Sequence, residues 1–149
     1  MSVSSPANSA KSAKTGLASE AWTLMLDFFF SKGRPRMLAM WREFDLMPPH
    51  QMVLALLDEP RPMGELARHM HCDNSNMTGI VDRLAERGLV ERRPAEHDRR
   101  VKLVALTAEG EALSAELARR RAEPPDEIAR LDTEDLQRLR EIFRGALDE

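Results

Sequence analysis

The sequence predicts a mainly α-helical fold with a small β-hairpin wing near its middle. Three observations carry that expectation. Apolar side chains recur at helical spacing over most of the 149 residues. Two strand-like stretches, Leu89 to Arg93 and Val101 to Leu106, flank a short charged loop, and Pro or Gly stands near most of the expected helix boundaries.

Residues 1–18 open with MSVSSPANSAKSAKTG, rich in Ser, Ala and Lys, and read as a disordered tail with none of the continuous apolar core of a secretory signal. Ser19 is a candidate cap for a first helix from about Glu20 to Ser31, whose Trp22, Leu24, Met25, Leu26, Phe28, Phe29 and Phe30 leave little polar surface. Lys32-Gly33 is expected to end it, and Pro35 suits the first turn of a second helix bearing Met37, Leu38, Trp41 and Phe44. Pro48-Pro49 starts a third helix with an apolar stripe of Met52, Val53, Leu56 and Leu57, and Glu59-Pro60-Arg61-Pro62 stops it.

A short helix with Leu66, Ala67 and Met70 on one face follows. Asp73 is a natural N-cap for the next, which runs to about Arg87 before Gly88 and buries Met77, Ile80, Val81 and Leu84. Its opposite face, Asn74, Ser75, Asn76, Thr78, Asp82, Arg83 and Arg87, is polar throughout. The hairpin comes next, with Pro94 to Arg99 as its loop. Thr107 can cap a further helix to about Arg121, helped by Glu109 and Glu111 near its positive end. Pro124-Pro125 breaks it, and a last helix carries Leu136, Leu139, Ile142, Phe143 and Leu147 on one stripe. Residues 19–149 are expected to form one domain. In it, 48–106 make a winged helix-turn-helix lobe, and 19–47 with 107–149 supply helices whose apolar faces suit a homodimer interface.

Hydrophobic residues make up 42% and charged residues 32% of the chain, and no apolar run approaches the roughly 20 residues of a membrane span. A soluble, cytoplasmic protein without a membrane partner is the expectation. The lone Cys72 excludes an intrachain disulfide and fits a reducing compartment. A net charge of −3 argues at first against a nucleic-acid partner, but its distribution matters more than its sum. Residues 61–106 carry nine Lys and Arg against seven Asp and Glu, whereas 107–149 carry seven against twelve. The positive surplus therefore falls on the helix-turn-helix and hairpin, although the dense basic stripe of a non-specific polyanion binder is absent. A helix with a polar amino-terminal end, followed by a hairpin with arginines at its tip, suits entering one DNA groove with the helix and gripping another with the loop.

Five pieces stand in order at fixed spacing: Pro48-x-x-Gln51, Glu65-Leu66-Ala67, Thr78-Gly79-Ile80-Val81-Asp82-Arg83-Leu84 with Gly88-Leu89-Val90, Asp98-Arg99-Arg100, and Leu106-Thr107-x-x-Gly110. Together they make the stretch from Leu46 to Gly110 resemble the MarR family of bacterial winged helix-turn-helix transcription regulators. The resemblance implies that the helix from Asp73 to Arg87 enters the major groove of double-stranded DNA. Asn74, Ser75, Asn76 and Thr78 are then candidate base or phosphate contacts. In the wing it implies an Asp-x-Arg pair, Asp98 and Arg100, whose carboxylate orients a guanidinium toward the minor groove. Arg83, Arg92, Arg93, Arg99 and Lys102 would add phosphate binding. The family pattern is departed from at Gly79, where a longer side chain is common, at His71, where Gly is frequent, and at Met63, where Ser or Thr would cap better.

A ligand-responsive repressor is the function this resemblance implies. Trp22, Met25, Phe29, Met40, Trp41, Phe44, Met47, His50 and Met52 are candidates to line a pocket for a small lipophilic or phenolic effector, with plain core packing as the other reading. The neighbours His69, His71, Cys72 and Asp73 are metal-ligand types, but no second cluster completes a tetrahedron, so no metal or other cofactor is expected. Cys72 before a helix amino terminus invites a redox-responsive regulator as an alternative; a small buried hydrophobe is the simpler role. No phosphate-binding glycine loop, nucleophile elbow or His-Glu-x-x-His suggests an enzyme. A winged-helix module that binds only protein is the remaining alternative, against which the arginine-bearing wing speaks.

Overall fold

A computed structural model of the chain describes residues 6–95 and 101–147. Two compact units emerge, one from residues 1–39 with 125–149 and one from 40–124, and each is described by itself.

In the first unit, helix α1 spans Pro6–Phe28 and passes through a π-helical segment, Phe29–Gly33, into α2, Arg34–Phe44, whose residues from Met40 onward belong to the second unit. The helix thus begins well before Glu20. Residues 6–18, expected as part of a disordered tail, are helical, with Pro6 at the first position and Ala, Lys and Leu supplying good helix formers. Ser19 does not cap. It lies inside α1, where its hydroxyl donates to the Thr15 carbonyl at 3.1 Å, as Thr23 does to Ser19 at 2.9 Å.

Lys32-Gly33 does not end the helix either. The Arg34 N–H reaches the Phe29 carbonyl, five residues back. Pro35 has no N–H and its ring crowds the preceding turn, and widening that turn by one residue accommodates it. Helices α7, Asp126–Ala129, and α8, Thr133–Leu147, complete this unit, with Lys32 and Glu127 paired at 2.7 Å. Large apolar side chains on α1 (Leu17, Trp22, Leu24) and on α8 (Leu136, Ile142, Phe143, Leu147) are exposed in the single chain.

The second unit holds α3 (Pro48–Leu56), β1 (Arg61–Pro62), α4 (Met63–His69), α5 (Asn74–Glu86), β2 (Val90–Pro94), β3 (Lys102–Leu106) and α6 (Ala108–Ala122). Its core joins Leu46, Val53, Leu54, Leu57, Leu66, Met77, Val81, Leu84, Val104 and Leu117, each almost fully buried. The turn before α3 places Asp45 at φ 48°. The buried Gln51 amide closes that turn by donating to the Leu46 carbonyl at 3.0 Å, which explains the Pro48-x-x-Gln51 spacing. Ser114 donates to the Leu54 carbonyl at 3.3 Å and ties α6 to α3.

The hairpin belongs to a three-stranded antiparallel sheet of order β1-β3-β2. Strand β1 was not expected, because Pro60-Arg61-Pro62 reads only as a helix terminator. Arg61 nevertheless pairs with Val104 and Pro62 with Leu103. A strand this short, ending in a residue without an N–H, is confined to the sheet edge. At the far end of α5, Gly88 adopts φ 70°. There the Thr107 hydroxyl donates to the Gly88 carbonyl at 2.6 Å and accepts from the Gly110 N–H at 3.0 Å, capping α6 as expected.

Candidate nucleic-acid interface

Helix α5 is started by its own cap. Asp73, in extended conformation, accepts the Asn76 N–H at 2.7 Å and the Ser75 hydroxyl at 2.8 Å. These two donors, the backbone one first, hold the Asp73 carboxyl below its ordinary value of 3.8. The turn before it rests on His71 at φ 49°, the left-handed position for which glycine is favoured. Met63 and Pro62 give α4 no side-chain cap.

Asn74, Ser75, Asn76, Thr78 and Arg83 all lie exposed on α5, while Met77, Val81 and Leu84 are buried beneath them. Their hydrogen-bonding states differ. Thr78 donates to the Asn74 carbonyl at 2.7 Å, and Ser75 is spent on Asp73. The side-chain amides of Asn74 and Asn76 remain open to a ligand, each offering two donors and one acceptor oxygen. Gly79 sits on the same face, and a Cβ there would meet nothing within 4 Å.

Two residues expected on the open polar face are engaged elsewhere. The Arg87 guanidinium turns back to the end of α2 and donates to the carbonyls of Asp45 at 2.6 Å and Phe44 at 3.1 Å. Those carbonyls are orphaned by the helix end, and a guanidinium satisfies two at once. Asp82 reaches Arg92 on β2, carboxylate to guanidinium, at 2.7 Å. Sequence spacing has no way to find this pair, which spans a helix and a strand.

The hairpin sorts the basic residues by face. Arg92 stands opposite Val104, and Pro94 opposite Lys102, so Arg92 and Lys102 share the face of the buried Val104. Arg93 is opposite Leu103 and belongs to the other face. All three are exposed. The Ala95 N–H donates to the Val101 carbonyl at 2.9 Å and closes the base of the loop. Asp98, Arg99 and Arg100 lie outside the described residues.

The effector-pocket candidates fall in both units. Trp22, Met25 and Phe29 belong to the first unit and are exposed there. In the second, Met40 is buried in the core and Trp41 and Phe44 pack against it, while Met47 and Met52 are exposed. His50 is partly buried, and its Nδ1 is enclosed without a hydrogen-bond partner. Burial pushes the His50 imidazole below its ordinary 6.5. Arg83 and Arg87 push the same way, against opposing pulls from the Met47 backbone and Asp45. In the metal-ligand-type cluster, Asp73 serves as the cap, Cys72 is partly buried, and His69 Nε2 lies 3.7 Å from Glu65. No helix among the described residues is long and apolar enough to cross a membrane.

Helices α4 and α5 followed by β2 and β3 make a helix-turn-helix with a strand-edged wing. Residues 47–102 match the family model described as MarR family. The likeness to the MarR family lies in these residues. The matched segment runs from the turn before α3 to the first residue of β3, and so contains α3, α4, α5 and β2. Over 90 residues the chain is 34% identical to YfiV of Bacillus subtilis, described as an uncharacterized HTH-type transcriptional regulator. That alignment covers 59% of this chain and 56% of YfiV, so the chain spans little more than half of that relative.

Similarity of fold extends further than similarity of sequence. The crystal structure of the YusO protein from Bacillus subtilis superposes with a TM-score of 0.74 at 27% identity, covering 89% of this chain and 96% of YusO. The reduced form of MarR from E. coli gives a TM-score of 0.68 at 22% identity, covering 84% and 95%, and shares the fold.

Proposed function

We propose that the chain is a sequence-specific regulator of transcription that binds double-stranded DNA as a homodimer through α5 and the wing. The observation that carries this reading is the exposed polar face of α5. Its Asn74 and Asn76 amides are open, and basic residues of the hairpin stand beside it. Amides on the first turns of a helix suit base edges in the major groove, and Arg83, Arg92, Arg93 and Lys102 suit phosphates. Asp98 and Arg100 at the wing tip would reach the minor groove, with Arg99 on the backbone. The MarR-family match and the description of YfiV as a transcriptional regulator support the same reading.

Exposed apolar side chains on α1 and α8 support self-association, since such surface is costly to leave in water. Two-fold symmetry then predicts a pseudo-palindromic operator read in successive major grooves about 34 Å apart. Repression relieved by a small lipophilic or phenolic effector, in the cytoplasm, completes the proposal.

Selection of bound duplexes from a random pool by the purified protein, followed by salt titration of the winner, tests it. A two-fold symmetric site bound far more tightly than bulk DNA, with a steep salt slope, is the expected result. Failure to enrich any sequence would overturn it and favour a protein-binding module.

A further inference from the structure

We infer that Asp82 is a positioning residue that fixes Arg92 for a phosphate contact in register with α5; this rests on the DNA-binding reading above. The Asp82 carboxylate meets the Arg92 guanidinium at 2.7 Å, with side chains 48% and 38% exposed. A pair that open to solvent adds little to folding. It stands, however, between the two elements that would meet DNA, with Thr78 one turn before Asp82 on the same helix face.

A bare carboxylate on a surface facing phosphates repels them. Paired with Arg92, Asp82 loses that penalty and gains a role. The register opposite Val104 already directs the Arg92 side chain to the α5 side of the hairpin, and the carboxylate holds one terminal nitrogen there. The rest of the guanidinium fork stays free to donate to a phosphate oxygen. Arg93, on the opposite face, has no ion pair among the described residues. No such pair fixes its guanidinium there. A guanidinium locked to the reading helix instead strengthens binding chiefly where α5 is seated on its proper bases, and so raises discrimination between operator and bulk DNA.

The test uses the full-length protein and anisotropy titrations over a range of salt, on the selected operator and on a scrambled duplex of equal length. Asp82→Ala removes a negative charge from the DNA-facing surface, so charge alone predicts tighter binding. Positioning predicts the reverse on the operator, a loss of about tenfold, with scrambled DNA bound as well or better. Asp82→Glu should restore most of the loss, and in an Arg92→Ala background Asp82→Ala should cost nothing further. Operator binding as tight as wild type in Asp82→Ala, or an equal loss with and without Arg92, would overturn the inference. Melting curves like that of the wild type guard against misfolding. If the wild-type protein itself enriches no duplex, the DNA-binding reading fails first and the inference falls with it.

Discussion

The Leu89 carbonyl oxygen lies against Gly110, 1.9 Å from where a Cβ on that residue would stand. Leu89 leads into β2 and Gly110 is in the first turn of α6, so the residue that begins the wing and the helix that follows it touch through backbone alone. The same oxygen accepts the Thr107 N–H at 3.1 Å, which leaves it no room to retreat. Gly110→Ala is therefore expected to destabilise the protein by about 3 kcal/mol or more, measured by urea unfolding.

Thr107 makes two side-chain hydrogen bonds at this junction, one to Gly88 and one from Gly110. Thr107→Ala removes both and should lower stability by about 1–2 kcal/mol. Thr107→Ser, which retains the hydroxyl, should keep most of it. Equal losses in both variants would mean that the methyl group, not the cap, matters.

Gly79 presents the opposite case. It lies in the interior of α5 with open space where a Cβ would go. Gly79→Ala should raise stability by about 1 kcal/mol, because alanine loses less backbone freedom than glycine on joining a helix. A fall in melting temperature would show that the glycine relieves strain the geometry does not reveal.

His50 gives the fold a pH dependence of known sign. Its imidazole is held below 6.5 chiefly by burial, so the unfolded chain takes up a proton more readily than the folded one. The stability tied to neutral His50 is present above pH 6.5 and lost as pH falls below it toward the depressed folded value. His50→Gln should flatten that part of the stability profile between pH 7 and pH 5, leaving the acid loss from Asp73, whose folded value lies below 3.8, in place. An unchanged profile would mean that another group sets it.

At the DNA, the reading proposed above separates two kinds of loss. Asn76→Ala should change which sequences are selected more than it changes binding to bulk DNA. Arg100→Ala and Asp98→Ala should both weaken operator binding, the first by losing a minor-groove contact and the second by freeing that arginine. Gel-shift titrations on operator and bulk duplexes distinguish these outcomes. Unchanged operator affinity in both wing variants would remove the wing from the interface.

The helices of the second unit and the caps at Asp73 and Thr107 were legible because each rests on local chemistry: an apolar period, an oxygen acceptor at the right offset, a glycine past the end. Helix α1 was misread for the same reason. Ser19 resembles a cap and Gly33 resembles a stop, but Ala- and Lys-rich sequence upstream is equally good helix, and a π-helical turn lets the chain pass through Gly33 and Pro35. Strand β1 and the partners of Arg87 and Asp82 were hidden because each depends on how one element of the fold packs against another. Arg87 meets Phe44 and Asp45 more than forty positions away. The polar face of α5 could be listed from its period, but not which of its members were already engaged.

Strand β3 is flanked on one side by the residues that precede α4 and on the other by those that follow α5. The helix-turn-helix is thus a closed excursion that leaves one edge of the sheet and returns to its opposite edge, with β3 as the shared neighbour of both ends. Its amides are expected to exchange with solvent as a single cooperative block with β3, since neither helix can detach at its strand end without unzipping a ladder. A ligand or a neighbouring copy that disturbs β3 would then be felt at both ends of the reading element at once.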